Sequence, residues 1–287
     1  MRLKQLNAII TGASQGLGKA IAHRFVQEGA SVFLCARDAE MLGLAEADLR
    51  AIAGREQKVI AQTCDVSSER EVAAMFQICD SEMGSLHVLV NNAGVYGPKG
   101  RMEEIDWGEW QRCIQINLIG TAIACRQAIT RLKKSGRGKI INLSGGGATR
   151  PLPHLSAYAA SKAAVVRLTE TLAEELRPWH IDVNSVAPGA LNTRLLQEIL
   201  EAGPERVGAD FYARALKQSE TGGVPVVLAA DLCAYLASDQ ADGITGKLIS
   251  AQWDPWTALH KYKDELNSSD IYALRRITPE DRSQSWN

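Results

Sequence analysis

The chain has 287 residues, 46% of them hydrophobic, with a formal net charge of −1; that is enough apolar material for a sizeable core and too much for a disordered chain. Charges of both signs are scattered along it, so there is no basic field to hold phosphate backbones or an anionic surface, and neither nucleic acid nor membrane is expected as a partner. The apolar run after Met1–Asn7 stops at Thr11 and Gly12, too short for a signal peptide or a span, and the six separated cysteines form no CxxC pair, which fits reduced thiols, a cytoplasmic location and no metal site.

In chain order, short β-branched runs at 7–11, 31–36, 58–63, 87–91, 139–144 and 182–187 are predicted strands. Between them, residues 18–28, 39–53, 69–82 and 156–177 place apolar side chains at helical spacing. This alternation predicts an α/β, doubly wound Rossmann-type fold, with a parallel sheet of about seven strands and helices on both faces. One catalytic domain over 1–254 accounts for the pattern, with a mostly helical insertion at 192–223 expected above a site. Residues 255–287 form a polar tail that carries Trp256, Tyr262, Tyr272 and Trp286, so docking is expected of it, over a neighbouring subunit or the pocket mouth, burying Trp253 or Trp256.

The first predicted strand runs into Thr11-Gly12-Ala13-Ser14-Gln15-Gly16-Leu17-Gly18. Three glycines there let the backbone turn sharply and approach a pyrophosphate at a helix amino terminus; without a ligand the same residues are a tight turn. After the second strand comes Arg37-Asp38, where such folds choose between the ribose 2′-hydroxyl and the 2′-phosphate. Arg37 offers a guanidinium to a phosphate with Ser14 as a hydroxyl partner, which favours NADP(H) over NAD(H); Asp38 could instead take a ribose hydroxyl or pair with Arg37. Asp65-Val66 follows the third strand, with a carboxylate suited to the adenine amino group or to a helix cap. Asn91-Asn92-Ala93-Gly94 follows the fourth with small residues suited to a flat adenosine-ribose wall.

Thr11-Gly12-xxx-Gly16-x-Gly18, Asn91-Asn92-Ala93-Gly94, Asn117, Tyr158-xxx-Lys162 and Pro188-Gly189, in this order and spacing, resemble the short-chain dehydrogenase/reductase family over roughly residues 6–251. The resemblance implies hydride transfer between a nicotinamide and a carbonyl or secondary alcohol, as expected of an NADPH-dependent ketoreductase with a small-molecule substrate. Tyr158 and Lys162 lie four apart and share a helix face. A free phenol has a pKa of about 10; an ammonium beside it, aided by an oxidised nicotinamide, favours phenolate and lets Tyr158 exchange a proton with the substrate oxygen. The resemblance further gives Lys162 a bond to the nicotinamide ribose, Asn117 a water that links the lysine to solvent, and the Pro188-Gly189 loop with Thr193 the nicotinamide carboxamide. It also implies a homodimer or homotetramer.

The chain departs from the family at the carbonyl-polarising serine, whose usual position thirteen residues before the tyrosine is Gly145 here. Ser144, one residue earlier, is taken for this role because Gly145-Gly146-Gly147 can re-aim it. Two alternatives stay open: a nucleotide-sensing protein without turnover, favoured by the vacant serine position, and a sugar-nucleotide epimerase or dehydratase.

Overall fold

The computed structural model describes residues 1–286. Seven parallel strands form one sheet in the order β3-β2-β1-β4-β5-β6-β7. They are β1 (Asn7–Thr11), β2 (Ser31–Ala36), β3 (Val59–Thr63), β4 (Val88–Asn91), β5 (Gly138–Leu143), β6 (Ile181–Ala187) and β7 (Leu248–Ser250). The order reverses between β1 and β4, and a crevice at the carboxyl ends of strands at such a reversal is where ligands of open α/β sheets bind.

Strands covered on both faces read as continuous apolar runs, and β1, β2 and β4 do so. Ile10 and Leu34 pack with Phe25 of α1 (Gly16–Gln27), Leu42 and Leu49 of α2 (Ala39–Ile52) and Tyr235 of α9 (Val226–Ala237). On the other face, Ile9, Phe33 and Ile140 pack with Met75 and Phe76 of α3 (Glu69–Met83), Ala128 and Leu132 of α5 (Gly120–Lys134) and Ala173 of α6 (Ser156–Leu176). The short helix α4 (Trp107–Ile114) passes into α5 through a π turn at Gln115–Ile119. Among the described residues no single helix is long and apolar enough to cross a membrane.

The 192–223 segment is helical as expected: α7 (Arg194–Val207), broken by Gly203 and Pro204, is followed by α8 (Ala209–Thr221). After β7, residues 256–262 make a 3₁₀ turn and α10 (Lys263–Ser268) follows. Leu259 and Leu266 are buried with α9, and the Trp256 indole donates to Ala251 O (3.1 Å). Leu248 N donates to Tyr272 O (2.8 Å) and Leu274 N to Glu170 Oε1 (2.6 Å), so the tail straps the β7 edge to α6 of its own chain. Of the two indoles, Trp256 is the one half-buried, against Tyr235, whereas Trp253 remains 79% exposed.

Candidate active site

The turn from β1 into α1 is shaped by close packing against the segment after β4. Gly12 has φ +64°, and a Cβ there would lie 2.8 Å from Ala93 Cα; a Cβ on Gly18 would collide with Gly12 O and lie 2.5 Å from Asn92 Nδ2. Asn92 Nδ2 donates to Thr11 O (2.9 Å) and Gly12 O (3.0 Å), and Thr11 Oγ1 accepts from the backbone N–H of Asn92 and Ala93, each at 3.0 Å. The Asn92-Ala93 segment is therefore the clasp that holds the glycine turn.

Gly16 differs, because a Cβ there would meet the Thr193 side chain at ordinary contact distance, its methyl group at 3.6 Å. Gln15 precedes α1 in an extended conformation without a side-chain cap, and no acidic residue sits in the first turn. The first N–H groups of α1 thus keep unused donor capacity and a positive end beside Gly16, Leu17 and the Thr193 loop. A pyrophosphate fits this cradle, which lacks competing carboxylates.

Arg37 is exposed and makes no ion pair among the described residues, while Asp38 accepts from Met41 N (3.0 Å) and caps α2. Ser14 is buried in the turn. Asp65 accepts from Ser67 N (2.9 Å) and Ser67 Oγ (2.6 Å) and pairs with Arg112 at 3.4 Å; its partial burial opposes these bonds, which prevail and hold the carboxyl below its usual range. The cap of α3 is Ser68 and not Asp65. Val66 packs on the start of α5, where a Cβ on Gly120 would lie 3.0 Å from Val66 Cγ2.

At the carboxyl end of β5, Tyr158 and Lys162 project from the first turns of α6, both buried. Lys162 Nζ donates to Leu143 O (2.7 Å) and lies 5.8 Å from the Tyr158 ring centre. Burial lowers the lysine pKa to about 8, and it pushes the Tyr158 phenol up, with Tyr96 and Cys113 adding to the rise. In the protein alone the phenol therefore keeps its proton.

Asn117 sits in the π turn, fully buried, a distortion common at functional positions. Its amide clamps the Val95 backbone, with Oδ1 accepting from Val95 N and Nδ2 donating to Val95 O, each at 2.9 Å, and Nδ2 also donates to Ser161 Oγ (3.0 Å). A Cβ on Gly94 would lie 3.3 Å from Asn117 Oδ1 and 3.5 Å from Lys162 Nζ, so Gly94, Asn117 and Lys162 meet at one point.

Around the serine position, the structure sets Gly145 rather than Ser144 against the tyrosine. A Cβ on Gly145 would collide with the Tyr158 hydroxyl oxygen and lie 3.1 Å from Cζ. The Ser144 hydroxyl is fully buried and has no hydrogen-bond partner among the described residues. The glycines after it do not turn it into hydrogen-bonding distance of the tyrosine.

Tyr158 closes an apolar cluster made with Leu155, Leu196, Ile199, Val207 and Ala215, with Tyr96, Leu152 and Phe211 packed against it. Tyr96 meets Tyr158 edge-on at 4.6 Å, and Lys99 pairs with Glu198 of α7 at 3.2 Å, joining the loop after β4 to the α7–α8 lid. Thr193 precedes α7 without capping it through its hydroxyl. Gly189 has φ +90°, and a Cβ there would lie 3.1 Å from Val224 Cγ2, so the loop after Pro188 turns against the segment that follows α8. Tyr96 and Lys99 were not among the residues singled out in the sequence. The one signal for them was their place directly after the Asn91–Gly94 motif, on the loop that a carboxyl-end site must use.

A glycine cradle at the β1/β4 switch point and a buried tyrosine–lysine pair one turn apart under an apolar lid define a nucleotide-dependent oxidoreductase of the Rossmann type. The short chain dehydrogenase family model matches residues 6–203, and the chain belongs to this family. The 3beta-hydroxysteroid dehydrogenase 1 of Eggerthella lenta is 41% identical over 250 residues, covering 86% of this chain and 92% of that protein. Among solved structures, NAD+-bound xylitol dehydrogenase has a TM-score of 0.79 at 25% identity, covering 87% of this chain and 98% of that one. Actinorhodin polyketide ketoreductase with NADPH has a TM-score of 0.77 at 29% identity, covering 85% and 95%. The protein is therefore an oxidoreductase acting on alcohol or carbonyl groups with a nicotinamide cofactor.

Proposed function

We propose that the chain interconverts a ketone and a secondary alcohol on an apolar, ring-bearing molecule such as a steroid, with NADP(H) preferred over NAD(H). The observation that carries this reading is the Tyr158 phenol, neutral and buried, facing an apolar cluster roofed by α7 and α8 with Lys162 one turn behind it. The apolar lining and the 41% identical hydroxysteroid dehydrogenase support the substrate class. Arg37, exposed and without an ion-pair partner among the described residues while Asp38 is occupied as a helix cap, supports the 2′-phosphate.

Gly12, Gly16, Gly18 and the start of α1 would hold the pyrophosphate, Asn92, Ala93, Gly94, Asp65 and Val66 the adenosine side, and Pro188, Gly189 and Thr193 the nicotinamide side. When bound, the cofactor supplies the hydride and, in its oxidised form, a positive ring beside the phenol. Tyr158 gives its hydroxyl proton to the substrate oxygen in reduction and recovers it in oxidation. The Lys162 ammonium, anchored on Leu143 O, stabilises the phenolate left behind. Asn117 positions both by fixing Val95 and, through Ser161, the second turn of α6. The apolar cluster excludes water from the exchange.

The glycine at position 145 favours a second reading, a cofactor-binding sensor without turnover. Thermal unfolding with NAD, NADH, NADP and NADPH, followed by a 3-ketosteroid and cyclohexanone panel read at the nicotinamide absorbance, tests both. Selective stabilisation by NADP(H) with ketone-dependent oxidation of NADPH is the expected result; a ligand at a hundredfold its dissociation constant adds about 2.7 kcal/mol. Stabilisation without turnover of any ketone or alcohol selects the sensor, and NAD(H) selectivity overturns the Arg37 assignment.

A further inference from the structure

A cavity of about 480 Å³ opens at the amino ends of β1, β4, β5 and β6, the end of the sheet opposite Tyr158. Its size lies within the range of small-molecule sites, about 300–1,000 Å³. One wall is Lys263 and Asn267 of α10, so the carboxy-terminal tail completes it. Asn267 Nδ2 donates to Gly243 O (2.9 Å) and fixes that wall to the floor of the sheet.

Charged groups line this cavity, and its carboxylates are already engaged. Lys139, buried at the start of β5, pairs with Asp182 and Asp242, each at 2.7 Å, and Asp182 Oδ2 also accepts from Gly243 N (2.9 Å). Arg137 pairs with Asp239 at 3.0 Å. Arg177 engages Glu174, outside the cavity, through Nε and Nη2, which leaves Nη1 over. Lys263 has no ion-pair partner among the described residues; its Nζ lies over Gly243, 2.6 Å from where a Cβ would stand.

Neutral donors are left over as well. The Thr245 hydroxyl oxygen accepts from Val183 N (2.9 Å), and its O–H is bonded to no acceptor among the described residues. His87 accepts from Asn7 N at Nδ1 (3.0 Å), so Nε2 of this cavity-lining ring carries the hydrogen. Burial and the Arg137 guanidinium hold this histidine below the usual imidazole range, neutral at pH 7. Unused hydrogen-bond donors lining the same cavity as an ammonium without an ion-pair partner among the described residues suit an anion, because a charge-assisted hydrogen bond is about twice as strong as a neutral one.

We propose that this cavity binds a small organic anion, a carboxylate or a phosphate, with Lys263 as its charge partner and Thr245 and His87 as neutral donors. The dinucleotide cradle is at the other end of the sheet, so this is a second ligand site independent of the catalytic reading.

Isothermal titration of the full chain with malonate and with inorganic phosphate, at low chloride and constant ionic strength, tests it and separates the two anion chemistries. Saturable binding of at least one probe is expected, weakened at least ~10-fold by Lys263→Gln. Lys263 is an exposed side chain on a short helix, so this variant should fold; an unchanged thermal shift with NADP(H) checks that. Failure of both probes to bind saturably overturns the proposal, as does binding that Lys263→Gln leaves at wild-type strength. Neither result bears on hydride transfer, which the nucleotide and ketone assays read separately.

Discussion

The two halves of the carboxyl-end crevice are built from different materials. The half under β1, β2 and β4 is organised by backbone: two glycines that admit no Cβ, an asparagine clasp on two carbonyl oxygens and an uncapped helix start. The half beyond β5 is organised by buried side chains that pay for their place in desolvation, with Lys162 and Tyr158 both displaced from their ordinary pKa values by burial. A backbone cradle is stable whether or not it holds a ligand. A buried ammonium and an orphan serine hydroxyl destabilise the fold and are tolerable where function uses them.

The largest expected effect on this contrast is in the side-chain half. Tyr158→Phe should lower kcat by about 10³-fold, within the range for loss of an acid-base group, while the thermal shift with dinucleotide stays at the wild-type value. Loss of both together would mean that the two halves are one unit.

Gly145→Ser comes next. Restoring a hydroxyl at the family position should lower kcat by about 10²-fold, because its Cβ collides with the Tyr158 hydroxyl and misplaces the reacting oxygen. An unchanged or higher kcat would show that the tyrosine has room to move and that the glycine is a mere vacancy.

Lys162→Met should stabilise the cofactor-free protein by about 1–2 kcal/mol at pH 7, the relief of charge burial less the lost bond to Leu143 O. The folded lysine titrates at about 8 and the unfolded one near 10.5. Between these values the unfolded chain holds a proton that the folded one has released, so wild-type stability rises with pH across that window. The advantage of Lys162→Met should therefore be full below pH 8 and fade towards pH 10.5, as read from denaturant midpoints.

The smallest effect belongs to the backbone half. Arg37→Ser should weaken NADP binding by about 5–10-fold and leave NAD unchanged, the scale of one charge-assisted hydrogen bond on an exposed side chain. Equal losses for both nucleotides in a binding titration would remove Arg37 from the phosphate.

The contrast also explains what could be read in advance. The strand runs, the glycine turn and the four-residue spacing of Tyr158 and Lys162 are local features, set by periodicity, φ preference and helix geometry, and each of the six expected strands forms within one residue of its expected bounds. Helix α9 was not distinguished, because it is apolar nearly all round and buried on most sides, which erases the stripe that periodicity detects. At the site, the expectation that Ser144 would be re-aimed by its glycines rested on backbone freedom alone. Where the Tyr158 hydroxyl comes to rest depends on α6 docking over the end of β5, a contact between distant segments.

By itself, then, the sequence determined the sheet of alternating βα units, the place of the glycine turn between β1 and α1 and the spacing that sets Tyr158 and Lys162 on one helix face, since each needs only residues near one another in the chain. Tertiary structure alone decided that Asn117 grips Val95, that Gly145 seats the phenol, that the tail straps the β7 edge and underlies the opposite end of the sheet, and that Lys162 titrates near 8. These are consequences of desolvation and close packing between elements far apart in the chain, and neither is defined until the fold excludes water.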